Sequence, residues 1–174
     1  NAVLETVKKF GGIDILINNA GIGINNSIEN LSLTDYEKMI AVNVTGVFVA
    51  TQEAVKYMKA GARIIHIGSS MVKYSGFGSA SLYTLTKGAL AGFNKSLARD
   101  LAPRGITVNV VHPGPTNTQM NPEDGEFSAY VMPGIAMGRY AQPEEIANVV
   151  AFVASPAASY MTGSEVFVDG GHTA

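Results

Sequence analysis

Tyr83 and Lys87 stand four apart in the run "SLYTLTKGAL", residues 81–90. On a helix that spacing puts both side chains on one face. An ammonium close to a phenol favours the phenolate and pulls its pKa down from about 10. A phenol tuned in this way can give or take the proton when an alcohol and a ketone interconvert. The pair alone carries little weight. A chance Tyr-x-x-x-Lys arises in roughly one such chain in three, and two amphipathic side chains lying on a helix surface would look the same. Two more residues join it. Ser70 precedes Tyr83 by thirteen residues. Asn43 is a polar amide inside an apolar helical run, where it must find a partner.

These side chains need elements to position them. Four runs read as buried strands: Ile13–Ala20, Ala62–Ser69, Ile106–Pro113 and Ser164–Gly171. The first three have nearly continuous β-branched cores, which suits strands covered on both faces of a parallel sheet. Helical patterns lie between them over Leu33–Lys59, Ser79–Leu101 and Pro143–Ala154. The first has Ser32 or Thr34 as its cap, with Thr34-x-x-Glu37 in capping-box form. The last has proline in its first turn, followed by Glu144 and Glu145, which suit the positive end of the helix dipole. "NAVLETVKKFGG", from Asn1, reads as the tail of a helix already under way, and a preceding portion is expected. Strands alternating with helices imply βαβ crossovers and an α/β fold. Residues 1–174 read as a single domain. Within it, residues 117–140 break the regularity and read as a mobile flap.

In open α/β sheets, ligands bind outside the carboxyl ends of the strands. Asn18-Asn19-Ala20-Gly21, Gly68-Ser69-Ser70 and Pro113-Gly114-Pro115-Thr116-Asn117-Thr118 follow the first three strands. Small, polar and turn-forming residues gather at all three, and glycine there lets backbone approach a ligand. Composition narrows the classes. The chain has 174 residues, 47% hydrophobic and 15% charged, which fits a compact globule and not a disordered chain. Net charge is −2 with no dense basic patch, which argues against nucleic acid as a partner. Cysteine is absent, so thiolate metal sites and disulfides are excluded; a reducing, cytoplasmic setting fits. The longest apolar run, Met39–Val55, is interrupted by Asn43, Thr45, Thr51, Gln52 and Glu53, and no membrane span is expected. His66 and His112 fall inside apolar strands and read as core histidines. His172 lies in the tail, and no metal site is expected.

Taken in order, these pieces resemble the short-chain dehydrogenase/reductase family. The resemblance runs from Asn1 to the C-terminus. Its motifs are Asn18-Asn19-Ala20-Gly21, "VNVTG" around Asn43, "IGSS" with Ser70, Tyr83-x-x-x-Lys87, "HPGPTNT", "QPEEIANVVAFVASPAASYMTG" and the terminal "VDGG". It implies a Rossmann-like, doubly wound parallel sheet. It implies Tyr83 as the proton donor or acceptor at the substrate oxygen and Lys87 as the group that depresses its pKa and binds the nicotinamide ribose. Ser70 would hold the substrate carbonyl, its spacing to Tyr83 favouring it over Ser69. Asn43 would anchor, through its backbone carbonyl, a water linking Lys87 to solvent; satisfying neighbouring backbone is the alternative. Asn19, Ala20 and Gly21 would pass the adenosine ribose. Pro113, Gly114, Thr116 and Thr118 would pin the nicotinamide carboxamide.

The chain looks most like the 3-oxoacyl carrier-protein reductase-like members. The expected reaction is hydride transfer between a ketone and a secondary alcohol, with NADP or NAD as cofactor and NADP slightly favoured. The family's glycine-rich TGxxxGxG turn, its first βαβ half and the residue choosing NAD or NADP do not occur in this sequence. The expectation is that an N-terminal part is missing. Met120, Met132, Met137, Phe127 and Tyr130 suggest an adaptable, apolar pocket for a small-molecule carbonyl or alcohol substrate. The rival reading is a non-catalytic nucleotide- or ligand-binding protein on the same fold. A homotetramer is expected, from the C-terminal strand and the helices carrying Asn43 and Tyr83.

Overall fold

The structure, a computed structural model, describes residues 2–174; Asn1 lies outside the described residues. Four strands form one parallel sheet: β1 (Ile15–Asn18), β2 (Arg63–Ile67), β3 (Thr107–Pro113) and β4 (Glu165–Val168), in the order β1-β2-β3-β4. Each is the centre of one of the four expected runs. The helices are α1 (Ala2–Phe10), α2 (Leu33–Ile40), α3 (Gly46–Val55), α4 (Ser81–Leu101), α5 (Ser128–Val131) and α6 (Pro143–Ala154).

Alternation along the central strands divides the core in two. Ile64 of β2 and Val108 of β3 are register partners and face Ala54, Met58, Ala98 and Leu101 from the α3–α4 side. Ile65 and Val111 face the other way, onto Ile146, Val150 and Val153 of α6. Helices therefore cover both faces, as a doubly wound sheet requires. Each such fully buried Ile or Val contributes about 1.5–3 kcal/mol. Ile15 and Ile17 of the edge strand β1 remain half exposed.

Two local expectations are corrected. The helical run after Leu33 is not one α-helix. A π-turn, Ala41–Thr45, separates α2 from α3 and carries Asn43. Such wide turns cluster at functional sites. The cap is Ser32, whose hydroxyl accepts from Asp35 N at 3.0 Å, while Ser32 N donates to Asp35 at 3.1 Å. Thr34 and Glu37 do not form the expected box. Between α4 and β3 the chain reverses through Gly105, at φ 70°, a conformation that favours glycine.

Residues 117–140 hold α5 and a 3-10 turn, Met132–Gly134. Val131, Ile135 and Tyr140 bury themselves in a small cluster with Phe77 and Met132.

Candidate active site

The carboxyl ends of β1, β2 and β3 open into one cavity of about 1000 Å³. Every candidate residue but Asn43 lines it: Asn19, Ala20 and Gly21 after β1, Ser70 after β2, Tyr83 and Lys87 on α4, and Pro113, Gly114, Thr116 and Thr118 after β3. Asn43 lies just behind. A Cβ added to Gly21 would stand 3.5 Å from Asn43 Oδ1 and 3.4 Å from Lys87 Nζ.

Lys87 is buried, and its ammonium donates to the carbonyl of Ile67 at 2.9 Å, across the end of β2. It also lies 5.7 Å from the Tyr83 ring centroid. Burial lowers its pKa from 10.5 to about 8. For Tyr83 the direction differs from the sequence expectation. Burial raises the phenol's pKa, and the hydrogen bond with the Ser69 side chain opposes that rise. The phenol is therefore protonated at neutral pH, the form in which it can donate to a ketone oxygen.

That hydrogen bond belongs to Ser69, not Ser70. Ser69 is extended, at φ −162° and ψ 144°, and Ser70 opens a 3-10 turn, Ser70–Val72. Neighbouring side chains in extended backbone point opposite ways. Ser69 turns to Tyr83, whereas the Ser70 hydroxyl lies 3.4 Å from His172 Nδ1. Counting thirteen residues back from Tyr83 could not separate two adjacent hydroxyls. The usable signal was the place of Ser69 directly past the strand and its glycine.

The Asn43 side chain satisfies neighbouring backbone, the alternative weighed above. Its amide oxygen accepts from Ile22 N at 2.9 Å. Its amide nitrogen donates to Ile22 O at 2.8 Å and to Thr86 Oγ1 at 3.0 Å. The Thr86 hydroxyl donates in turn to the Tyr83 carbonyl at 2.8 Å. Asn43 thus ties the loop after β1 to the turn of α4 that presents Tyr83.

At two strand ends the missing glycine side chain makes room for protein, while the glycine itself still lines the cavity. A Cβ on Gly68 would overlap the His112 ring, and one on Gly114 would stand 2.6 Å from Asp169 Cα. His66 is a core histidine, as expected. Asn18 Nδ2 donates to its Nδ1 at 3.0 Å, and burial lowers its pKa to about 4. His172 was missed as a site residue. It lines the cavity, edge-on to Tyr74 at 5.3 Å between centroids. Met120 and Phe127 line the cavity as expected, whereas Met132, Met137 and Tyr130 are not part of its wall. Among the described residues no group of His, Cys, Asp and Glu could hold a metal, and no helix is long and apolar enough to cross a membrane.

A family model described as enoyl-(acyl carrier protein) reductase matches residues 1–173. A cyclic-di-GMP-binding biofilm dispersal mediator protein of Escherichia coli (strain K12) is 39% identical over 170 residues, covering 98% of this chain and 72% of that protein. The 3-oxoacyl-(acyl-carrier-protein) reductase FabG of Aquifex aeolicus (strain VF5) is 44% identical over 170 residues, covering 96% and 68%. Among solved structures, a short-chain dehydrogenase/reductase from Serratia marcescens BCRC 10948 superposes with a TM-score of 0.97 at 50% identity, covering 99% of this chain and 71% of that one. A short chain dehydrogenase from Burkholderia cenocepacia J2315, in complex with NADP, gives 0.98 at 42% identity, covering 100% and 71%.

Proposed function

Because this chain belongs to the short-chain dehydrogenase/reductase family, we propose that it is an NAD(P)-dependent oxidoreductase interconverting a ketone and a secondary alcohol on a small molecule. The observation that carries this reading is the convergence of Ser69, Tyr83 and Lys87 on one cavity. The solved relative bound to NADP supports the cofactor class. The residues present fit such a group. The cavity is large enough for part of a dinucleotide, and bare Gly21 leaves the flank of the Lys87 ammonium open. Asn19, Ala20, Gly21, Lys87, Pro113, Gly114, Thr116 and Thr118 would hold it, with Tyr83 beside the reacting carbon. When bound, the nicotinamide supplies or accepts a hydride.

The chain's own residues do the rest. In reduction, the protonated Tyr83 phenol donates to the substrate oxygen. Ser69 donates a hydrogen bond to that same oxygen and fixes its direction. The Lys87 ammonium steadies the negative charge left on the phenol. Asn43 keeps the Tyr83 turn in place; its backbone carbonyl as a water anchor belongs to the same proposal. Residues 1–174 act as a single domain, with 117–140 as its substrate flap.

The test is titration of the protein with NADH and NADPH, then a ketone screen by nicotinamide absorbance. Binding followed by turnover is expected, with Ser69→Ala losing far more kcat than Ser70→Ala. The reverse order would return the role to Ser70. A second reading, a ligand-binding protein without chemistry, is favoured by the Escherichia coli relative named for cyclic-di-GMP binding. Nucleotide binding with no turnover on any ketone selects it.

A homotetramer is proposed on the same family basis. Phe48 and Val49 of α3 and Leu85 of α4 are about half exposed and give apolar faces for isologous pairing. Light scattering should read four chains; a monomer contradicts the assembly.

A further inference from the structure

His112 is fully buried, at the end of β3, yet both ring nitrogens have partners. Nε2 lies 3.1 Å from Glu165 Oε2 on β4, and Glu165 Oε1 is 3.0 Å from Lys95 Nζ. Nδ1 meets the Ser69 peptide, 3.1 Å from its nitrogen and 3.0 Å from its oxygen. One tautomer satisfies this geometry best. With the proton on Nε2, the ring donates to the carboxylate and accepts from Ser69 N–H. With the proton on Nδ1 the ring would donate to Ser69 O, but a lone pair would face the carboxylate and the Ser69 N–H would lose its acceptor. Phe167 stacks on the ring at 4.6 Å and 16°.

The location gives this contact its meaning. The ladder between β2 and β3 ends where Gly68 N donates to Val111 O at 2.8 Å. Ser69 is the next residue; strand alternation would turn its N–H toward β1, but the backbone leaves the strand here and that N–H donates to the imidazole instead. The ring packs so closely that no side chain fits at Gly68. We propose that His112, oriented by Glu165, is a positioning residue that locks the Ser69 peptide and so aims the Ser69 hydroxyl at Tyr83. The proposal rests on the reading of Ser69 given above. It separates His112 from an ordinary core histidine, whose replacement would change stability alone.

Two substitutions dissect the ring. Asn places a side-chain oxygen where Nδ1 stands, and Gln reaches only to the place of Nε2. In the full chain with NADPH and a turned-over ketone, His112→Gln is expected to lower kcat by roughly tenfold, with the cofactor KM little changed. His112→Asn should lose less. In a Ser69→Ala background neither should cost anything further, since both act through that hydroxyl. Equal losses for Asn and Gln, or losses additive with Ser69→Ala, would overturn the proposal. Histidine ¹⁵N NMR on the unsubstituted protein reads the clamp without turnover or variants. A protonated Nε2 and an unprotonated, hydrogen-bonded Nδ1 are expected; a protonated Nδ1 overturns the clamp even if a variant fails to fold. Ser69→Ala with full turnover instead removes the Ser69 reading, whatever the ring's tautomer.

Discussion

Tyr83→Phe is expected to lower kcat for ketone reduction by about 10²–10⁴-fold, the usual contribution of a positioned acid or base. Only the phenol oxygen is removed. The ring keeps its packing near Gly23, where an added Cβ would stand 3.7 Å from Cδ2, and the Lys87 ammonium keeps its place over the ring face. Binding of the nicotinamide cofactor should therefore change little, and the loss should fall on kcat. The comparison with Ser69→Ala sharpens it. Ser69 hydrogen-bonds the hydroxyl that Phe lacks, so the double variant should be scarcely worse than Tyr83→Phe alone. Steady-state kinetics decide it, and a Phe variant keeping most of its reductase rate would end the enzymatic reading.

The architecture was legible because its signals are local and repeated. β-branched runs marked β1 to β3, and proline with two glutamates marked α6 from Pro143 to Ala154. The rule that ligands sit past strand ends brought Asn19, Gly21, Pro113 and Thr118 to one cavity. What stayed hidden depends on features that side-chain type does not encode. A π-turn keeps the apolar pattern of an α-helix, so nothing in "AVNVT" announced it. Ser32 with Asp35 and Thr34 with Glu37 both fit the box pattern, and the backbone entering the helix chose between them. Ser69 and Ser70 differ in how the backbone, extended at Ser69 and entering a 3-10 turn at Ser70, aims them. At Gly68 and Gly114 the absent side chain also makes room for His112 and Asp169, a packing demand that the sequence does not show. His172 is far from Ser70 in sequence, and only the fold brings the two together.

Lys87→Met carries the second large effect, and its pH dependence identifies the cause. At neutral pH the ammonium is charged and, in the proposed mechanism, supports the negative charge that develops on Tyr83 as it gives up its proton. Removing it should cost about 10²–10³-fold in kcat, as for other groups aimed at developing charge. Burial brings Lys87 to about 8. The reduction rate of the unsubstituted protein should therefore fall as pH rises through that region, while the residual rate of Lys87→Met stays flat there. A fall near pH 8 that survives in the Met variant would assign it to another group. Stability gives a check that needs no turnover. Between about 8 and the ordinary 10.5 the unfolded chain holds a proton on Lys87 that the folded chain has released. The unfolded state binds more protons there, so folding stability rises with pH across the window. Relative to Lys87→Met, the unsubstituted protein should gain on the order of 3 kcal/mol between pH 8 and 10.5. Denaturant unfolding of both proteins at several pH values measures the difference. Parallel curves would mean that Lys87 keeps its ordinary pKa, and that a fall in rate near pH 8 belongs to another group.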